Sequence, residues 1–116
     1  MRVGPSPVFA AMLRSLLRKK QILVAPGAYD GFTSKMVEMH EFEAVYLTGA
    51  GVSYSTLGQP DVGLITLPEM CKRLEMISET VNIPIIADGD TGNGNAMNTM
   101  RTVRKYERAG EHADWR

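Results

Sequence analysis

Apolar residues along this chain follow two spacings. Some form stripes that recur every three to four positions, and others form short unbroken runs ending at glycine, proline or aspartate. Stripes mark amphipathic helices and short runs mark buried strands. Val8, Phe9, Met12, Leu13, Leu16 and Leu17 form the first stripe, and Arg18, Lys19 and Lys20 suit the C-terminal end of its helix dipole. Residues 22–25 are the first strand, closed by Pro26 and Gly27. Asp30 is placed to cap a short helix running to about His40, burying Phe32, Met36 and Val37. A second strand at residues 44–47 leads into Thr48-Gly49-Ala50-Gly51 and a long loop over residues 52–65. Loops after strands are mostly about 2–6 residues, so that length points to a functional loop. Thr66 and Glu69 form a capping box for a helix whose apolar face is Leu67, Met70, Cys71, Leu74, Ile77 and Val81. Ile83, Ile85, Ile86 and Ala87 make a third strand, and a last helix over residues 96–109 turns Met97, Met100, Val103 and Tyr106 to one face before Gly110 stops it. Strands alternating with helices predict an α/β domain with a parallel sheet and right-handed crossovers.

Composition narrows the picture. Thirteen basic and thirteen acidic residues cancel, which leaves no electrostatic footprint for nucleic acid or an anionic membrane surface. No apolar run approaches the roughly 18 residues that span a bilayer. The single cysteine, Cys71, excludes an internal disulfide, suits a reducing compartment such as the cytoplasm, and lies in a helical stripe as a small core hydrophobe. Residues 1–29 carry no acidic residue, so a mitochondrial transit peptide competes with the plain first helix.

The chemistry concentrates at residues 83–95, where the third strand ends in Asp88 and Asp90 and then in Gly92 and Gly94. Period-two alternation lets both aspartates project to one side at the strand's C-terminal end, where parallel α/β sheets bind ligands. Two adjacent carboxylates repel unless a proton or cation intervenes, and a hard divalent ion such as Mg²⁺, held partly through water, resolves the conflict. The competing reading is a polar turn whose aspartates merely cap turns and the next helix. Thr48 with the backbone amides of Gly49, Ala50 and Gly51 suits carboxylate or phosphate oxygens. This is not a dinucleotide fingerprint, because Tyr54 stands where a third glycine belongs. Asp61 either hydrogen-bonds a substrate or holds a turn.

The segments VAPGAYDG (24–31), AVYLTGAGVS (44–53), LGQPDVGLIT (57–66) and ADGDTGNGN (87–95), in this order and spacing, resemble the isocitrate lyase/phosphoenolpyruvate mutase superfamily. The likeness is to its small members: 2-methylisocitrate lyase, oxaloacetate decarboxylase, dimethylmalate lyase and carboxyphosphonoenolpyruvate phosphonomutase. It implies a TIM-type (β/α)₈ barrel with Mg²⁺ (or Mn²⁺) at its C-terminal mouth. Asp88 and Asp90 match the metal-site pair. Thr48, Gly49 and Ala50 match the segment that binds a 2-oxo-acid carboxylate, and Asp61 matches a catalytic loop aspartate that contacts substrate or metal-bound water. The reaction implied is C–C cleavage of a 2-oxo or 2-hydroxy di- or tricarboxylate with stabilisation of an enolate. The implied partner is that small carboxylate, with full-length relatives forming homotetramers. A phosphonomutase acting on a P–C bond and a noncatalytic fragment are the alternatives.

Departures from the family pattern bound the likeness. Gly89 and Asn93 replace an alanine and a tyrosine, and His40-Glu41 replaces Ala-Gly, which removes an easy left-handed cap while leaving His40 a surface residue. After Gly110 the family continues into a fourth strand with a further metal-site glutamate, then a loop bearing the lyases' catalytic lysine or cysteine. A closed barrel takes about 250 residues. The expectation is therefore the first three β/α units over residues 1–110, truncated before strand four, with residues 111–116 a divergent tail.

Overall fold

The computed structural model describes residues 7–90, 92, 94–111 and 113–115. The tail positions His112 and Arg116, and Asn93 with its proposed loss of an aromatic wall, lie outside the described residues. Helix α1 (Pro7–Arg18) precedes a run of β1 (Gly27–Ala28), α2 (Gly31–Met39), β2 (Val45–Leu47), α3 (Gly49–Leu57), α4 (Leu67–Thr80), β3 (Ile85–Asp88), α5 (Ala96–Ala109) and β4 (Ala113–Trp115). The four strands form one sheet in the order β1-β2-β3-β4, every neighbouring pair parallel. Val45, Tyr46 and Leu47 pair with Ile85, Ile86 and Ala87.

The helix boundaries follow from capping chemistry. Asp30 accepts the Thr33 amide at 2.8 Å in a reciprocal capping box, and Thr66 does the same for α4 with Glu69. Gly110 ends α5 in the left-handed region at φ 119°. Glu41 takes a left-handed φ of 66° just after α2, at the position where a glycine was read as the easier choice. Helix α4 lies on the sheet through Met70, Leu74 and Ile77, as its stripe predicts, and packs beside α5.

Five expectations are corrected. The first strand is Gly27–Ala28, not residues 22–25: Ile22 is 89% exposed, and register with Tyr46 and Leu47 begins only at Gly27. Residues 49–57 are helix, so the loop expected over residues 52–65 begins at Gly58. Thr48 supplies the cap that two glycines and two serines obscured. The expected absence of a fourth strand is corrected in that residues 113–115 pair in parallel with β3, after three β/α units. Helix α2 buries Ser34 and Val37 and leaves Phe32 75% exposed and Met36 outside the core. Helix α5 is rolled so that Thr102, Tyr106 and Ala109 face inward while Met97 and Met100 stay exposed. The polar tips set that roll: Thr102 Oγ1 donates to the Gly92 carbonyl at 2.9 Å and the Tyr106 hydroxyl to the Asp88 carbonyl at 3.0 Å. Of the α1 stripe only Leu13 is fully buried. Among the described residues no helix is long and apolar enough to cross a membrane.

Candidate active site

Strand β3 delivers Asp88 at its last residue, and the chain then turns through Gly89 into Asp90, whose φ of 50° is left-handed. The turn folds back on the carboxylate, so that the Asp90 amide donates to Asp88 Oδ1 at 2.9 Å. From the neighbouring strand end, the first amide of α3, Gly49 N–H, donates to Asp88 Oδ2 at 3.1 Å. An anion at a helix N-terminus meets unpaired amides and the positive end of the dipole. Each Asp88 oxygen therefore has one backbone donor in place. A carboxylate oxygen has two acceptor positions, so the group keeps capacity for a further donor or a cation.

Asp88, Asp90, Gly49 and Asp61 line one cleft of about 50 Å³, with Tyr106 in its wall. That volume is room for a few water-sized groups. The structure thus brings together Asp88 at the end of β3, Asp90 in the turn after it, the loop aspartate Asp61 and residue Gly49. Thr48 and Ala50 adjoin the cleft without lining it; the Thr48 hydroxyl accepts the Gly51 amide at 3.3 Å as the helix cap. Gly51 must be small here, because a Cβ would lie 2.6 Å from Thr48 Cγ2 and 3.1 Å from the Tyr29 side chain.

Tyr46 is the site residue that sequence reasoning passed over. Burial first, then the charge and hydrogen bonding of Asp88 and the charge of Asp61, push its hydroxyl pKa up to about 12. The signal was present: Val45 and Leu47 are buried, so strand alternation puts Tyr46 on the opposite face, with Asp88 at the end of the adjoining strand. Tyr106 had been read only as core, whereas its hydroxyl also supports the backbone of Asp88. Burial pushes the Cys71 thiol up to about 11, in keeping with a packing role. His40 is exposed and its Nδ1 lies 2.8 Å from the Met36 carbonyl, away from the cleft.

Among the described residues no three His, Cys, Asp or Glu side chains gather closely enough to enclose a metal. The donor set does fit a hard ion that keeps most of its water, since such ions are held by one or two carboxylates and not by a full protein cage.

Carboxylates and helix-start amides collect here at the C-terminal ends of parallel strands, the end at which α/β domains of the barrel or open-sheet type bind their ligands. The phosphoenolpyruvate phosphomutase family model matches residues 13–113. The chain belongs to the phosphoenolpyruvate mutase/isocitrate lyase superfamily. It is 56% identical over 101 residues to the 2,3-dimethylmalate lyase of Eubacterium barkeri, which covers 87% of this chain and 35% of that enzyme. It is 47% identical over 102 residues to the 2-methylisocitrate lyase of Aeropyrum pernix, covering 88% of this chain and 33% of the other. Its fold is similar to that of a phosphonopyruvate hydrolase solved with oxalate and Mg²⁺, with a TM-score of 0.86 at 32% identity over 90% of this chain and 37% of that one. The chain thus spans about a third of the length of the curated relatives it matches.

Proposed function

We propose that this chain is the N-terminal part of a Mg²⁺-dependent carbon–carbon lyase of (β/α)₈ type, acting on a 2-oxo or 2-hydroxy di- or tricarboxylate. The observation that carries the reading is the shared cleft of Asp61, Asp88, Asp90 and the Gly49 amide. The identity to a dimethylmalate lyase and the Mg²⁺ and oxalate in a structural relative support it.

Asp88 and Asp90 are the residues that would hold the ion, largely through water. Bound there, it would supply the positive charge that stabilises an enolate oxygen. Thr48, Gly49 and Ala50, at the start of α3, would receive the substrate carboxylate at the helix N-terminus. Asp61, at the cleft wall, is the carboxylate that takes up or returns a proton. Tyr46 keeps its proton at neutral pH and so would be a donor toward Asp88, favouring one orientation of that carboxylate. The 116-residue polypeptide by itself, a third of its relatives' length, has negligible turnover on this reading.

Titration with Mg²⁺ or Mn²⁺ tests the site: wild type binds the ion, and Asp88→Ala/Asp90→Ala does not. Equal binding by both proteins refutes the metal assignment. Assays with 2,3-dimethylmalate, 2-methylisocitrate and oxaloacetate test the rest, and rapid cleavage by the 116-residue chain would contradict the claim that it lacks turnover alone.

A further inference from the structure

Asp61 sits on a loop between α3 and α4, and something must hold an exposed loop residue against the cleft. The chain leaves α3 at Gly58, whose left-handed φ of 62° reverses its direction. That reversal aims the carbonyls of Gln59 and Pro60 back at the helix. Ser53, on the buried face of α3 and 1% exposed, meets them there: its hydroxyl lies 3.0 Å from the Gln59 carbonyl and 3.1 Å from the Pro60 carbonyl. The Val62 amide donates to the same Pro60 carbonyl at 3.0 Å, which closes a three-residue turn with Asp61 at its apex.

A helical serine commonly bonds the carbonyl one turn behind it. Ser53 instead reaches forward out of its own helix, and the residues it grips immediately precede the cleft aspartate. The end of α3 is fixed separately, because Arg73 of α4 donates to Thr56 Oγ1 at 2.6 Å and to the Tyr29 carbonyl at 3.0 Å. The far end of the loop is pinned by the Thr66 capping box. Between those anchors the Ser53 hydroxyl is the side-chain contact placed to set the turn that carries Asp61.

We propose that Ser53 is a positioning residue: its buried hydroxyl, shared between the Gln59 and Pro60 carbonyls, locks the Asp61 turn so that this carboxylate faces Asp88 and Asp90. The inference rests on the proposed cation cleft for its consequence, though not for its geometry. It also opposes what α3 alone predicts, since alanine is the better helix former and Ser53→Ala would then be harmless.

The test compares wild type, Ser53→Ala and Ser53→Cys by NMR, after melting curves establish that each folds. In Ser53→Ala the Val62 amide, which bonds the Pro60 carbonyl, exchanges with water about three- to tenfold faster, the loss of one net hydrogen bond. Ser53→Cys, a weak donor of similar shape, falls between. Titration with Mg²⁺ shifts the carboxyl carbon resonances of Asp61, Asp88 and Asp90 in wild type, and those of Asp88 and Asp90 alone in Ser53→Ala. Unchanged exchange in a folded Ser53→Ala overturns the proposal. So does faster exchange with the Asp61 response to Mg²⁺ retained. If Mg²⁺ leaves Asp88 and Asp90 unshifted in wild type, the cation reading falls, and the exchange rates alone decide whether Ser53 sets the turn.

Discussion

Gly49→Ala separates the local demands of a helix from those of the cleft. A Cβ at position 49 would lie 2.8 Å from Asp88 Oδ2 and 3.4 Å from its Cγ, closer than a methyl group and a carboxylate oxygen tolerate. The Asp88 side chain must withdraw, and the 3.1 Å bond from Gly49 N–H is lost or stretched. A hydrogen bond to a charged group contributes about 1.5–3 kcal/mol. Against this, alanine in a helix gains about 0.5–1 kcal/mol over glycine. The difference is a net destabilisation of about 0.5–2.5 kcal/mol, a fall in Tm on the order of 2–12 °C for a domain of this size. Gly27→Ala is the control, because its Cβ would meet Thr48 Cγ2 at an ordinary 3.6 Å. Thermal melting of both variants by circular dichroism reads the stability. On the proposed function, Mn²⁺ affinity also falls, by about tenfold or more, as when a partner that orients a metal ligand is lost. A Gly49→Ala protein that melts at or above the wild-type temperature would refute the reasoning, since helix propensity alone would then account for the site.

Three further outcomes follow from particular residues. Glu41→Gly relieves a left-handed non-glycine residue after α2 and should stabilise the chain by about 1 kcal/mol, read as a higher urea midpoint; no gain would mean the Glu41 backbone carries no strain. Tyr46 has a folded-state pKa raised to about 12, so its contribution to stability is complete below pH 10 and is lost as pH rises through about 12; Tyr46→Phe should flatten that alkaline decline in melting temperature. For Glu38, burial raises the pKa, but the Asn82 amide at 2.5 Å and the Lys35 ammonium outweigh it and hold the carboxyl below 4.5. Its contribution is therefore present above about pH 4.5 and lost as pH falls, and Glu38→Gln should remove that acid sensitivity from denaturation curves.

The parts of the fold that were legible in the sequence are those fixed by neighbours in the chain. Thr66 and Glu69 stand three residues apart, so the start of α4 is written within one turn. The α4 stripe and the apolar run into Asp88 report burial against a sheet in the same local way. Helix α3 was not legible, because Gly49, Gly51, Ser53 and Ser55 are poor helix formers and read as loop. Its reason for being helical is tertiary: Gly51 must pass close to Tyr29, Ser53 must reach Gln59 and Pro60, and the Gly49 amide must meet Asp88. Residues chosen for close approach and for hydrogen bonds across the site disguise the element that presents them.

The same logic explains which part of the candidate site could be seen in advance. Asp88, Asp90 and Asp61 are carboxylates that line one cleft, and their residue types mark them as candidates in the sequence alone. Tyr46 stands out only through its neighbours, because a tyrosine between two buried aliphatic residues is an ordinary strand residue until the adjoining strand brings Asp88 near enough to raise its pKa. Strand β4 is hidden for a related reason: a short parallel strand has no hairpin partner next to it in sequence, and its pairing with residues 86–88 exists only once α5 has carried the chain back across the sheet. The cleft therefore depends on α5 twice over. The Tyr106 hydroxyl holds the Asp88 carbonyl, and the helix returns the chain to the edge of β3, so damage to α5 should loosen the acidic pair before it disturbs the α3 side of the site.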